Sequence, residues 1–76
     1  MSNQTQQMCR DFLLEHCRGQ TLEAIQAATD LRDRWGIRVG WPQMSDALEA
    51  LEQEGKAVRV GTGADRMATY RVLGGE

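Results

Sequence analysis

The sequence predicts a small α+β fold in which three helices precede a two-stranded β-hairpin, with 37–39 suited to a third short strand. Three observations carry that expectation. Pro42 and Gly55 bracket the periodic segment PQMSDALEALEQEG; proline is preset for the first turn of a helix, and glycine suits the residue past its end. Two alternating segments, KAVRV and MATYRV, flank the glycine-containing stretch GTGADR, which is the pattern of a hairpin. Upstream, apolar residues recur at spacings of three and four in two stretches that end at Gly19 and Gly36, as one face of a helix requires.

The first helix is expected from Thr5 to Cys17. Projected at helical spacing, Thr5, Met8, Cys9, Phe12, Leu13 and His16 share one face with Cys17 at its edge, while Leu14 points elsewhere. Thr21 suits the N-cap of the second helix and Glu23 its first turn. Ala24, Ala28, Leu31 and Trp35 then form a stripe flanked by Ile25, and Gly36 stops it. Ile37 and Val39 alternate with Arg38, so this connection is expected to pair as a short strand beside the hairpin. In the third helix Met44, Ala47, Leu48 and Leu51 share a core face. The remainder divides into a mild flank, Gln43, Asp46, Ala50 and Gln53, and an acidic one, Ser45, Glu49 and Glu52. In the hairpin Val58 and Val60 alternate with Ala57 and Arg59, and Ala68, Tyr70 and Val72 with Met67, Thr69 and Arg71. One apolar face of this sheet should cover the helices.

A chain of 76 residues is a single domain, 1–76, with polar ends at 1–4 and 73–76 expected to be flexible, and it lies near the size at which a core alone sustains a fold. No apolar run approaches the ~20 residues of a membrane span. The opening MSNQTQQMCR is polar where a secretory leader would be apolar, so a cytoplasmic bacterial or phage protein is expected. The net charge of −2 does not by itself indicate a nucleic-acid binder. Its distribution is more informative. Arg32, Arg34 and Arg38 precede the third helix and Lys56, Arg59, Arg66 and Arg71 lie in the hairpin, which together make seven of the nine basic residues.

Enzymatic and metal chemistry find little footing. Cys9 and Cys17 are eight residues apart in one helix, ~12 Å along its axis, whereas a disulfide needs Cα atoms within ~7 Å. Buried thiols are expected instead. His16, the only histidine, lies two turns from Cys9 and cannot share a metal with it at ~2 Å bond lengths. It is expected to be an ordinary residue at the edge of its face. GTGADR lacks the Gly-Lys-Ser/Thr of a phosphate loop and leads into a strand. So short a chain leaves little room for a substrate cleft. No enzyme, cofactor or metal site is expected.

From Pro42 to Val60, and again from Ala68 to Val72, the sequence resembles the winged helix-turn-helix superfamily of small bacterial DNA-binding domains. The phrase SDALEALEQEGKAVRV … ATYRV is similar to their recognition helix, helix stop and two wing strands. The first two helices agree in order and length only. PQM with LEQEGKAVRV is also similar, more weakly, to the small C-type proteins of ferrous-iron transport. Those carry a cysteine cluster in the wing, and 61–66 here holds none, so the likeness implies no iron–sulfur role.

The resemblance implies double-stranded DNA binding by a transcriptional regulator. The third helix would enter the major groove, with the wing on the neighbouring backbone. Gln43 would read adenine, Ser45 a base or phosphate and Asp46 cytosine N4, with Gln53 further along the same flank. Arg34, Arg38, Arg59 and Arg66 would hold phosphates. In that pose Glu49 and Glu52 turn away from DNA. A homodimer is compatible, with Leu14 as its self-association contact. Acids at 46, 49, 52 and 54 with no base in the helix point to an alternative: a protein-binding winged helix, as an adaptor, inhibitor or assembly factor, that uses its acidic third helix and its tryptophans. Trp41, beside Pro42, is expected to pack under the helix start.

Overall fold

The structure, a computed structural model, describes residues 2–62 and 68–73. The elements run α1 (Ser2–His16), β1 (Thr21–Glu23), α2 (Ala24–Trp35), α3 (Trp41–Gln53), β2 (Ala57–Thr62) and β3 (Ala68–Val72). Three helices pack against one antiparallel sheet of strand order β1-β3-β2, a winged-helix-like α+β arrangement. Helix α1 begins at Ser2, ahead of the expected Thr5, because nothing in 2–4 breaks a helix.

The third strand lies where the sequence reading put a helix cap. Thr21, Leu22 and Glu23 pair with Arg71, Tyr70 and Thr69 of β3, and Leu22 turns into the core. The turn after α1 delivers the chain to this edge: the Gly19 N–H donates to the Val72 carbonyl at 2.6 Å, and the Val72 N–H to the Gln20 carbonyl at 3.1 Å. With β1 on one side of β3 and β2 on the other, no edge of β3 remains for 37–39. Ile37 and Val39 keep their alternation but pack on the core as half-buried residues of a connection. The N-cap of α2 accordingly moves from Thr21 to Glu23, whose N–H donates to Gln26 Oε1 at 3.1 Å.

The core joins all six elements. Cys9, Phe12 and Leu13 of α1, Ala27 and Leu31 of α2, and Met44, Ala47, Leu48 and Leu51 of α3 are fully buried, with Val72 of β3 beneath them. The expected core face of α3 is therefore correct residue for residue. Leu14 is half-buried against the same cluster, and Ile25, set beside the α2 stripe, is exposed. Phe12, His16 and Trp35 form an aromatic group at the α1–α2 junction, with Trp35 edge-on to both other rings and its indole donating to His16 Nε2 at 3.2 Å. Nineteen residues of sequence hide that pairing.

In the hairpin Ala57, Tyr70 and Val72 face inward, but Val58 is 41% and Val60 52% exposed. Ala57 pairs with Val72 and Arg59 with Tyr70, so the inward phase of β2 belongs to Ala57 and Arg59, one residue out of step with its valines. A bulge between Arg59 and Gly61 then shifts the register.

Helix α3 stops through a left-handed glycine. Gly55 has φ +79°, its N–H donates to the Glu52 carbonyl at 3.1 Å, and the Lys56 N–H donates to the Leu51 carbonyl at 2.8 Å. This is the paired closure of a Schellman turn. A Cβ at Gly55 would meet nothing within 4 Å, so Gly55→Ala is expected to cost the left-handed backbone strain alone, roughly 1–2 kcal/mol in denaturant melts.

The two cysteines are free and buried. Burial raises the Cys9 thiol. At Cys17 burial, reinforced by the Asp30 carboxylate and opposed by Arg34, raises it to about 11. Below the thiol range of the unfolded chain both states are protonated, and stability does not depend on this group. As pH rises through that range only the unfolded chain ionises, so stability should fall between about pH 9 and about pH 11. Cys17→Ala should make that alkaline decline shallower in melts taken across the interval, with Cys9 and Tyr70 supplying the remainder, and native Cys17 should resist iodoacetamide until the chain is denatured.

Candidate nucleic-acid interface

Helix α3 sets the geometry of both candidate surfaces. With Met44, Ala47, Leu48 and Leu51 buried, Asp46 and Gln53 project outward and are exposed. Gln43 is exposed at the start of the helix, and its Oε1 folds back to 2.7 Å from the place a Cβ on Gly40 would take. The N-terminus of α3 has Gly40 as its cap, no side-chain hydrogen bond to that cap, and no acid in the first turn. Its free N–H groups and the helix dipole therefore leave a positive end.

Next to that end lies the connection from α2. Arg38 and Arg32 line a shallow cleft of about 290 Å³ with Thr29 and Val39. Arg34 is exposed at the end of α2, close enough to lower the Cys17 thiol against the opposing effect of Asp30. Asp33 takes one of these arginines, approaching Arg32 Nε at 3.8 Å on the surface. Arg34 and Arg38 have no ion pair among the described residues.

The other flank of α3 faces the sheet. Trp41, Ser45, Glu49 and Glu52 line a cleft of about 330 Å³ with Arg59 of β2 and Tyr70 of β3. Ser45 and Arg59 are thus brought together, away from Gln43 and Arg38. The acids, expected to turn away from DNA, turn toward the hairpin strands. They line the cleft between α3 and the hairpin strands. Trp41 does not pack under the turn either; half of its surface, 51%, is exposed at the mouth of this cleft. Arg66 falls outside the described residues.

Trp41, Glu49 and Glu52 belong to the surface expected of a protein-binding alternative, and Tyr70 is the residue of this cleft that the sequence did not indicate. The spacing 41, 45, 49, 52 is a continuous helical stripe and was available in the sequence. The partner strand was not, since only the tertiary fold sets Tyr70 opposite it.

Among the described residues no group of three or more His, Cys, Asp or Glu is placed to hold a metal ion. No described helix is long and apolar enough to cross a membrane. Compared with protein-family models and with curated protein sequences, the chain matches none.

The exposure of Trp41 makes a clear contrast with the buried face of the same helix. Trp41→Ala should cost about 1 kcal/mol or less, because half of its surface stays wet in the fold. Leu48→Ala, at a fully buried position, should cost about 2–5 kcal/mol. Urea melts of the two variants check both; equal losses would show that Trp41 is packed after all.

Proposed function

We propose that the protein binds double-stranded DNA through the corner where α2 meets α3. The observation that supports this most is the coincidence of three features at that corner: the uncapped N-terminus of α3, free of acids in its first turn, the exposed Arg34 and Arg38 before it, and the exposed Gln43 at its start. Exposed helix N–H groups and guanidinium groups both attract phosphate. Gln43, Asp46 and Gln53 would then present amide and carboxylate groups to base edges, glutamine to adenine and aspartate to cytosine N4. Ser45 and Arg59 lie on the opposite flank, beside Glu49 and Glu52. In this pose they stay at the margin, and DNA approaches over the corner and the outward face of α3. A regulator of transcription is the role this binding mode fits.

Because phosphate contacts release counterions, affinity should fall steeply with salt. Titrating mixed-sequence duplex DNA from 50 to 200 mM salt should show that fall. Arg38→Ala and Arg34→Ala should each weaken binding and reduce the salt slope by about one. Gln43→Ala should relax sequence preference without changing the slope. Absence of binding at 50 mM salt, or slopes indifferent to both arginine variants, would overturn the proposal.

A further inference from the structure

The cleft between α3 and the inner face of the hairpin has no part in that corner, and its chemistry is of the opposite sign. Two carboxylates, Glu49 and Glu52, line it with a single guanidinium, Arg59, and with two aromatic rings, Trp41 and Tyr70. Neither glutamate is within ion-pairing distance of Arg59 among the described residues. The carboxylates therefore retain their affinity for an outside cation. Trp41 leaves half of an indole uncovered at the mouth, and indole is the best ring for a cation to stack on.

Tyr70 supplies an independent observation. Only 4% of this residue is exposed, yet its hydroxyl takes no part in the side-chain hydrogen bonds among the described residues. That oxygen is not among the buried polar atoms that lack a partner, so it opens on the cleft it lines and is able to accept from a ligand. Burial raises the Tyr70 phenol, Glu49 and Glu52 add to the rise and Arg59 opposes it, in keeping with the cleft that all four line.

We infer that this cleft receives an arginine side chain carried by a partner protein. A guanidinium is planar and presents five N–H donors in a fixed fork. It can stack on Trp41 while its edges donate to Glu49, Glu52 and the Tyr70 oxygen. At about 330 Å³ the cleft is near the lower end of ligand sites, which span about 300–1,000 Å³, and it suits one long side chain better than a folded surface. An ammonium offers a point charge and no plane to stack. DNA is excluded from this cleft by the two carboxylates. The partner is thus a second ligand, independent of the corner that faces phosphate.

The probes are Nα-acetyl-arginine amide, Nα-acetyl-lysine amide and the uncharged, near-isosteric Nα-acetyl-citrulline amide, titrated into ¹⁵N-labelled full-length protein. With arginine amide, saturable shifts should appear at the Trp41 indole N–H and at the amides of Glu49, Glu52 and Tyr70, with the Trp35 indole unmoved. Lysine amide should bind at least threefold more weakly, and citrulline amide at least tenfold. Glu49→Gln with Glu52→Gln, both at exposed positions, should weaken arginine amide tenfold or more, and Trp41→Ala threefold or more. Arg59→Ala removes the one repelling charge and should tighten it. No shift at the cleft, equal binding of citrulline, lysine binding as tightly as arginine, or indifference to the double glutamine variant would each overturn the assignment. None of these outcomes bears on the salt-dependent binding of DNA, so the two proposals fail separately.

Discussion

The turn at Gly55 is the constraint on which the rest of the molecule depends. Helix α3 buries one complete face against α1 and α2, so its rotation about its own axis is fixed by packing. Gly55, at φ +79°, then reverses the chain so that β2 starts at Ala57. The Lys56 N–H to the Leu51 carbonyl and the Leu73 N–H to the Lys56 carbonyl tie the two sides of that reversal to the helix and to β3. Glu54 reinforces it on the surface, with Arg10 of α1 at 2.6 Å and Lys56 at 3.6 Å from the same carboxylate oxygen. With rotation and turn both fixed, only one flank of α3 can face the hairpin.

That flank is the acidic one, and the charge pattern of the whole domain follows from it. A winged-helix-like frame puts a helix and a hairpin side by side, and both would be basic if both held phosphate. Here the groove between them carries Glu49 and Glu52 against a lone Arg59. Arg38, without an ion pair among the described residues, lies instead at the α2–α3 corner, where it shares a cleft with Arg32. Solution ions screen exposed charges beyond ~8–10 Å, so two surfaces of opposite sign on so small a domain can each attract their own ligand.

The sequence made the helices and their core faces legible because periodicity is a local property. Met44, Ala47, Leu48 and Leu51 were all placed correctly, and so were the glycine stops at 19, 36 and 55, each of which has positive φ. What escaped depends on partners distant in sequence. Thr21–Glu23 has the composition of a helix cap and becomes a strand only because β3 offers it an edge. Ile37–Val39 has the alternation of a strand, but both edges of β3 are taken by β1 and β2. Val58 and Val60 look like the inward residues of β2, and Ala57, smaller and less apolar, takes that place because its register is set by Val72. Trp41 and the Trp35–His16 pair follow the same rule. At the candidate interface the sequence named Gln43, Gln53, Arg34 and Arg38, which the structure leaves exposed, and it could not supply the side of α3 that faces the hairpin.

The exposed indole is the detail that separates a binding cleft from a leftover gap. A void between a helix and a sheet in a small domain is ordinarily closed by moving the nearest large apolar side chain into it, since each buried apolar group stabilises by about 1.5–3 kcal/mol. Trp41 stands at the mouth of just such a space and remains half in water. Closing over Glu49 and Glu52 would strip water from two like charges with one guanidinium between them, and the desolvation of even one unpaired carboxylate exceeds what an indole gains by burial. The tryptophan therefore waits on a cation. Only a ligand that brings its own positive charge removes the electrostatic obstacle and lets the ring, the two carboxylates and the Tyr70 hydroxyl be satisfied together.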